Sequence, residues 1–142
     1  MRRRAYAILF LLLLVTPCSI SSTAQPVPDL ATVYIYRLKQ GMGRALRPTV
    51  MLDGKDLVNV GNGRLYTGYF KPGTYKFEMD DKKSSATLDL EAGKTYYLRV
   101  DIVSGFWKGG GRLTHMTRDH GAAEIQRLEP VPEKEIEDKS HS

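Results

Sequence analysis

Between Ala31 and Met116, apolar and polar residues alternate in short runs separated by turn-forming pairs. That period of two belongs to strands with one buried and one solvated face. In Ala31-Thr32-Val33-Tyr34-Ile35-Tyr36-Arg37, Val33 and Ile35 share one face and Tyr34 and Tyr36 the other. Tyr75, Phe77 and Met79 alternate with Thr74, Lys76 and Glu78, and Ala86, Leu88 and Leu90 with Thr87, Asp89 and Glu91. Tyr96, Leu98, Val100 and Ile102 alternate with Tyr97, Arg99, Asp101 and Val103. Further strands are expected over residues 49–52, 64–70 and 112–116. Asp53-Gly54 has the composition of a two-residue type I′ turn, whose central residues both need positive φ, and Asn62-Gly63 repeats the signal. Pro72-Gly73 suits a type II corner, where Pro fixes the first φ and Gly supplies the second. The pattern predicts an all-β fold: a single antiparallel β-sandwich of about seven strands.

Beyond Met116 the period changes. Ala122, Ile125 and Leu128 recur at helical spacing, predicting a short helix or irregular turn over residues 118–128 with Thr117 as N-cap. Gly121 weakens such a helix by roughly 1 kcal/mol, and Pro130 and Pro132 bar its continuation. Residues 31–128 therefore form the domain, behind a Pro-containing leader at 25–30. Residues 129–142 are charged with few apolar positions and are expected to be disordered.

The first 24 residues read as a secretory signal peptide. Arg2, Arg3 and Arg4 form its positive start, residues 5–15 its apolar stretch, and Ser22-Thr23-Ala24 a cleavage signal, with the cut after Ala24. The apolar run has 11 residues, whereas a membrane span needs roughly 20. Cys18 offers a second reading, acylation before a lipoprotein cut, but Pro17 occupies the position that wants a small flexible residue. Cleavage after Ala24 would leave no cysteine, so the fold would rest on its core without disulfides. The expected location is exported, periplasmic or extracellular, with membrane attachment only if Cys18 is lipidated. Loss of the three N-terminal arginines leaves 18 basic and 16 acidic residues. The tail from Glu129 carries a net −3, so residues 25–128 carry +5. Such a charge is accounted for by plain solubility, and also suits anionic envelope surfaces. Along the chain no dense Lys/Arg cluster appears, and nucleic acid is not an expected partner.

Five segments together resemble a bacterial family of unknown function, number twenty-eight forty-six. They are residues 31–37, Val50-Met51-Leu52-Asp53-Gly54-Lys55, Lys71-Pro72-Gly73-Thr74-Tyr75, Glu91-Ala92-Gly93-Lys94-Thr95-Tyr96-Tyr97-Leu98, and Gly105-Phe106 ahead of Leu113. The Asp-Gly-Lys and Pro-Gly-Thr-Tyr elements are also similar, more loosely, to PEGA modules of the bacterial envelope. The resemblance implies export and a prealbumin-like (transthyretin-like) sandwich. It implies no activity and no site residues. Members are often lipoproteins, and Pro17 departs from that pattern.

Catalytic ingredients are sparse. His115, Asp119 and His120 are the one His/carboxylate grouping, two imidazoles and a carboxylate where a metal needs three or four converging ligands. His141 lies in the tail. There is no Gly-x-Ser-x-Gly elbow, and Asp53, Asp56, Asp80 and Asp81 sit where turn chemistry already accounts for them. Gly109-Gly110-Gly111-Arg112 lacks the helix and the Lys-hydroxyl pair of a phosphate loop. No catalytic residue, metal or cofactor is therefore expected. The segment Ser104–Arg112 offers binding residues instead: Phe106, Trp107, Lys108 and Arg112, aromatic and basic anchors in a loop of small residues. Two readings stand, a recognition tip or an aromatic plug for the end of the sandwich. Tyr34, Tyr36 and Tyr97 form an aromatic stripe expected to pack across strands. The functional expectation is a non-catalytic module that binds an envelope protein. Binding of an envelope glycan or anionic polymer is the alternative, and a small hydrolase the third choice.

Overall fold

Asp53 and Gly54 adopt φ of 47° and 85°, both positive as a type I′ turn requires, and close a tight hairpin between β2 (Thr49–Leu52) and β3 (Lys55–Asn59). The computed structural model describes residues 29–103 and 111–142. Within them two sheets face each other, and one short helix lies outside. The first sheet has the order β8-β7-β1-β4-β9, from β8 (Gly111–Met116), β7 (Thr95–Ile102), β1 (Ala31–Tyr36), β4 (Arg64–Phe70) and β9 (Glu129–Pro130). The second has the order β3-β2-β5-β6, with β5 (Gly73–Met79) and β6 (Ser85–Leu90). This is an all-β sandwich with a short C-terminal helix, α1 (Arg118–Ile125).

The alternation places the core. Val33, Ile35, Val50, Leu57, Val58, Phe70, Phe77, Met79 and Leu98 are fully buried between the sheets. Phe70 meets Phe77 edge-on at 5.7 Å. Gly68 faces inward between Tyr66 and Phe70, where a Cβ would come within 2.6 Å of the Phe70 ring.

Several expectations need correction. The sandwich is not purely antiparallel: β1 runs parallel to β7, and β4 parallel to β9. From β1 the chain runs through β2 and β3 of the second sheet, back to the first as β4, and through β5 and β6 before it returns as β7, a connection long enough to re-enter in the same direction. Asn62-Gly63 is not a hairpin turn and Pro72-Gly73 is not a type II corner; each lies where the chain passes from one sheet to the other. Only Gly63 has positive φ (70°) in the first pair, and Gly73 opens β5 at 155° rather than near +80°. The outer face of the first sheet is covered in part by α1, along β7, instead of being solvated throughout. There Tyr34 stacks on Tyr97 at 5.3 Å, and fully buried Tyr36 donates its hydroxyl to Glu124 at 2.5 Å. Thr117 takes the N-cap position in extended conformation, but its side chain makes no capping bond. Gly121, the apparent weak point of the helix, is where α1 touches the sheet: a Cβ there would sit 2.3 Å from Tyr97 Cγ.

The largest departure is the tail, expected to be disordered. Val131 is buried, its N–H bonds to Leu65 O at 2.9 Å, and Ile136 bridges to Val58. The N–H groups of Glu137 and Asp138 both bond to Leu57 O, and the His141 ring stacks on Phe70 at 4.3 Å. Two apolar residues flanking a charged turn are enough to fasten the segment along edges that β3 and β4 would otherwise expose.

Candidate functional site

At the end of the sandwich where β4 begins, two adjoining grooves open, of about 290 and 330 Å³. The first is lined by Arg44, Arg47, Arg64, Lys134 and Glu135, and the second by Lys39, Arg44, Arg64, Arg127 and Glu129. Asn62 lies in both. These residues come from the loop after β1, the crossover into β4, the segment after α1 and the tail. Six cations face two carboxylates, a local excess of +4.

The scaffold under these charges is specific. Arg37 follows β1 with its side chain fully buried, donating to Leu46 O at 2.7 Å and Gly43 O at 2.8 Å. Burial lowers its pKa from the ordinary guanidinium value, and its Nε has no hydrogen-bond partner among the described residues. Two carbonyls of the 41–46 turn thus hold a charge inside the protein, and the turn that displays Arg44 is pinned in exchange. The Asn62 side-chain amide accepts from Gln40 N at 2.9 Å and donates to Gln40 O at 3.1 Å, tying the same loop to the crossover. Gly63, at φ 70°, accepts the Glu129 N–H at 3.1 Å, which brings the tail alongside.

Two of the cations are partly neutralised. Arg47 pairs with Glu135, whose side chain is 9% exposed, and Arg64 pairs with Glu129 at 2.8 Å while also donating to Pro130 O. Lys39, Arg44, Arg127 and Lys134 form no ion pair among the described residues. The groove therefore presents guanidinium and ammonium donors, open to an incoming oxyanion, with the loop that carries Arg44 tied down by hydrogen bonds from Arg37 and Asn62.

Of the residues singled out in the sequence, Phe106, Trp107 and Lys108 lie outside the described residues. Arg112 is exposed on the edge strand β8 opposite Asp101 and does not line the groove. His115 is exposed with its ring 6.3 Å from Tyr96, while Asp119 and His120 are exposed on α1. Among the described residues no three His, Cys, Asp or Glu side chains converge as metal ligands would. Asp53, in the β2–β3 turn, accepts from Lys76 N of β5, Asp81 accepts from Lys83 N within its own turn, and burial raises the Asp80 pKa. The groove itself was not foreseen. Its cations run from position 39 to position 134, so no local window of sequence shows them as a cluster.

The model of a family described as "Protein of unknown function (DUF2846)" matches residues 28–111, more than half of the chain. An uncharacterized protein of Haemophilus influenzae is 26% identical over 98 residues, covering 68% of this chain and 58% of the relative. The chain thus spans a little over half of that relative's length. No solved structure matches.

Proposed function

The chain belongs to the DUF2846 family, and we propose that it is a non-catalytic binding module that recognises an anionic polymer of the cell envelope through the basic groove at the start of β4. The observation that carries this reading is convergence: six cations from distant stretches of chain line adjoining grooves, and four of them make no ion pair among the described residues. Unpaired cations gathered on one surface sum to a positive potential that attracts an anionic ligand. The buried Arg37 fits the same reading, because it fixes the loop that carries Arg44. Export through the N-terminal signal belongs to the proposal, with cleavage after Ala24 placing the module in the periplasm or outside the cell.

The test is fluorescence anisotropy with labelled polyphosphate and polygalacturonate over a salt series. Affinity should fall steeply between low and physiological salt, and the double variant R44E/R127E should weaken it at least ~10-fold. Binding that ignores both salt and charge reversal would refute the groove. In parallel, fractionation of cells expressing the full chain should place a product beginning at Gln25 outside the cytoplasm. An uncut cytoplasmic product would refute export.

A further inference from the structure

The site has two lobes that share residues. Arg44, Asn62 and Arg64 line both, while Arg47, Lys134 and Glu135 belong only to the first, and Lys39, Arg127 and Glu129 only to the second. Each lobe also holds one carboxylate already paired to an arginine, Glu135 on Arg47 and Glu129 on Arg64. A small monovalent carboxylate entering either lobe would exchange like for like with a tethered resident carboxylate, at the cost of its own translational freedom. A ligand gains where one chain engages both lobes, so that its anionic groups together supply more negative charge than they displace.

We infer that the ligand is a linear polymer with phosphoryl groups close along its backbone, lying across both lobes with Arg44 as the shared contact. This rests on the anionic-polymer reading above. Guanidinium forks such as Arg44 and Arg127 match phosphoryl oxygens in paired hydrogen bonds, and a second phosphoryl in the adjoining lobe binds at the effective concentration set by the first. Arg44 is exposed and lies on the turn pinned by Arg37, so it can contact both groups without refolding. Inorganic polyphosphate and a phosphodiester-linked glycan share this chemistry.

The experiment compares inorganic phosphate, tripolyphosphate and long-chain polyphosphate as competitors for labelled polyphosphate on the full-length mature protein. Concentrations are counted per phosphate. The long chain should compete roughly 10²-fold better than inorganic phosphate. R44E should erase most of that advantage, while R127E and K134E, each confined to one lobe, should remove only part. Thermal melts confirm that each variant is folded. A phosphodiester-linked glycan tested beside polyphosphate identifies the source, and tight binding of either upholds the inference. Equal competition per phosphate by long chain and inorganic phosphate would overturn the two-lobed linear ligand and leave simple anion binding standing. Binding to phosphatidylglycerol vesicles without competition by any soluble chain would overturn it in favour of a membrane surface. Absence of binding to any anion would sink this inference and the proposed function together.

Discussion

At the Arg64 end of β4 the surface is a basic groove assembled from loops and tail, whereas at the Phe70 end it is an aromatic cleft of about 400 Å³ lined by Leu30, Tyr69, Lys71, Tyr75, Ser140 and His141. The basic end depends on charges brought together over nearly the whole domain, and nearly all its geometry is fixed by hydrogen bonds to backbone. The aromatic end is more local, built mainly on the crossover from β4 to β5, and is held by ring stacking: Phe70 with Tyr75 at 5.4 Å and with His141 at 4.3 Å. One segment serves both. The tail pairs with Arg64 and Leu65 at one end and places His141 on Phe70 at the other. The contrast teaches that the charged segment, which by composition looked disordered, runs between the two ends and finishes both surfaces.

The sharpest way to break this comparison is to end the chain after Leu128. Truncation removes buried Val131, half-buried Ile136 and the stacked His141. It should cost about 3–5 kcal/mol of folding free energy in urea melts, set by the two aliphatic side chains. A loss within about 0.5 kcal/mol, as for an unstructured tail, would show that the segment does not fasten the edges.

A smaller effect lies between the two ends. The Tyr66 hydroxyl is buried without a hydrogen-bond partner among the described residues, and its pKa is pushed up to about 12, first by burial and then by Asp138 of the tail. A raised phenol pKa means that the folded state favours the neutral form. This stability is complete below pH 10 and drains away as pH climbs through 12. Y66F should flatten that alkaline loss and cost little or nothing at neutral pH, because the hydroxyl it removes is unpaired. Tyr36, raised by burial and then by its bond to Glu124, should keep part of the alkaline sensitivity. Melts of Y66F that track wild type from pH 9 to 12 would contradict this assignment.

The smallest expected effect sharpens the aromatic end. H141A removes one stacked ring near the chain terminus and should cost roughly 0.5–1 kcal/mol. Polyphosphate affinity at the far groove should not change. A matching loss of affinity would show that the two ends are coupled through the tail.

Much of the sandwich was legible in sequence because strand alternation is a local signal. Val33 and Ile35 point inward, Tyr34 and Tyr36 outward, and Asp53-Gly54 forms its hairpin turn with both φ positive. Pairing direction was not legible, since nothing within residues 31–36 states that β7 rather than an antiparallel neighbour lies alongside. The tail misled because composition averages over residues, while Val131 and Ile136 act singly, each at an edge. Gly121 was correctly read as poor for a helix, yet its reason is Tyr97, a residue of another element. The groove left one local trace. Arg37 continues the inward parity of Val33 and Ile35, and a charge at an inward position signals a bonded, purposeful burial. Its neighbours in the groove were invisible, because proximity in space between residues 39 and 134 is a product of the fold.

The parallel pairing of β1 has a kinetic consequence. Thr32 is flanked by Tyr69 on one side and Thr95 on the other, so the first strand synthesised is the central strand of its sheet and waits for both neighbours. Pairings across such sequence separations are slow to form, because loop closure must precede any gain. A chain emerging N-terminus first cannot complete the first sheet until β7 has been made, nor cover the β4 edge until residues 129–131 follow. Should the chain be exported as proposed above, this topology postpones completion of the first sheet until β7 has been made.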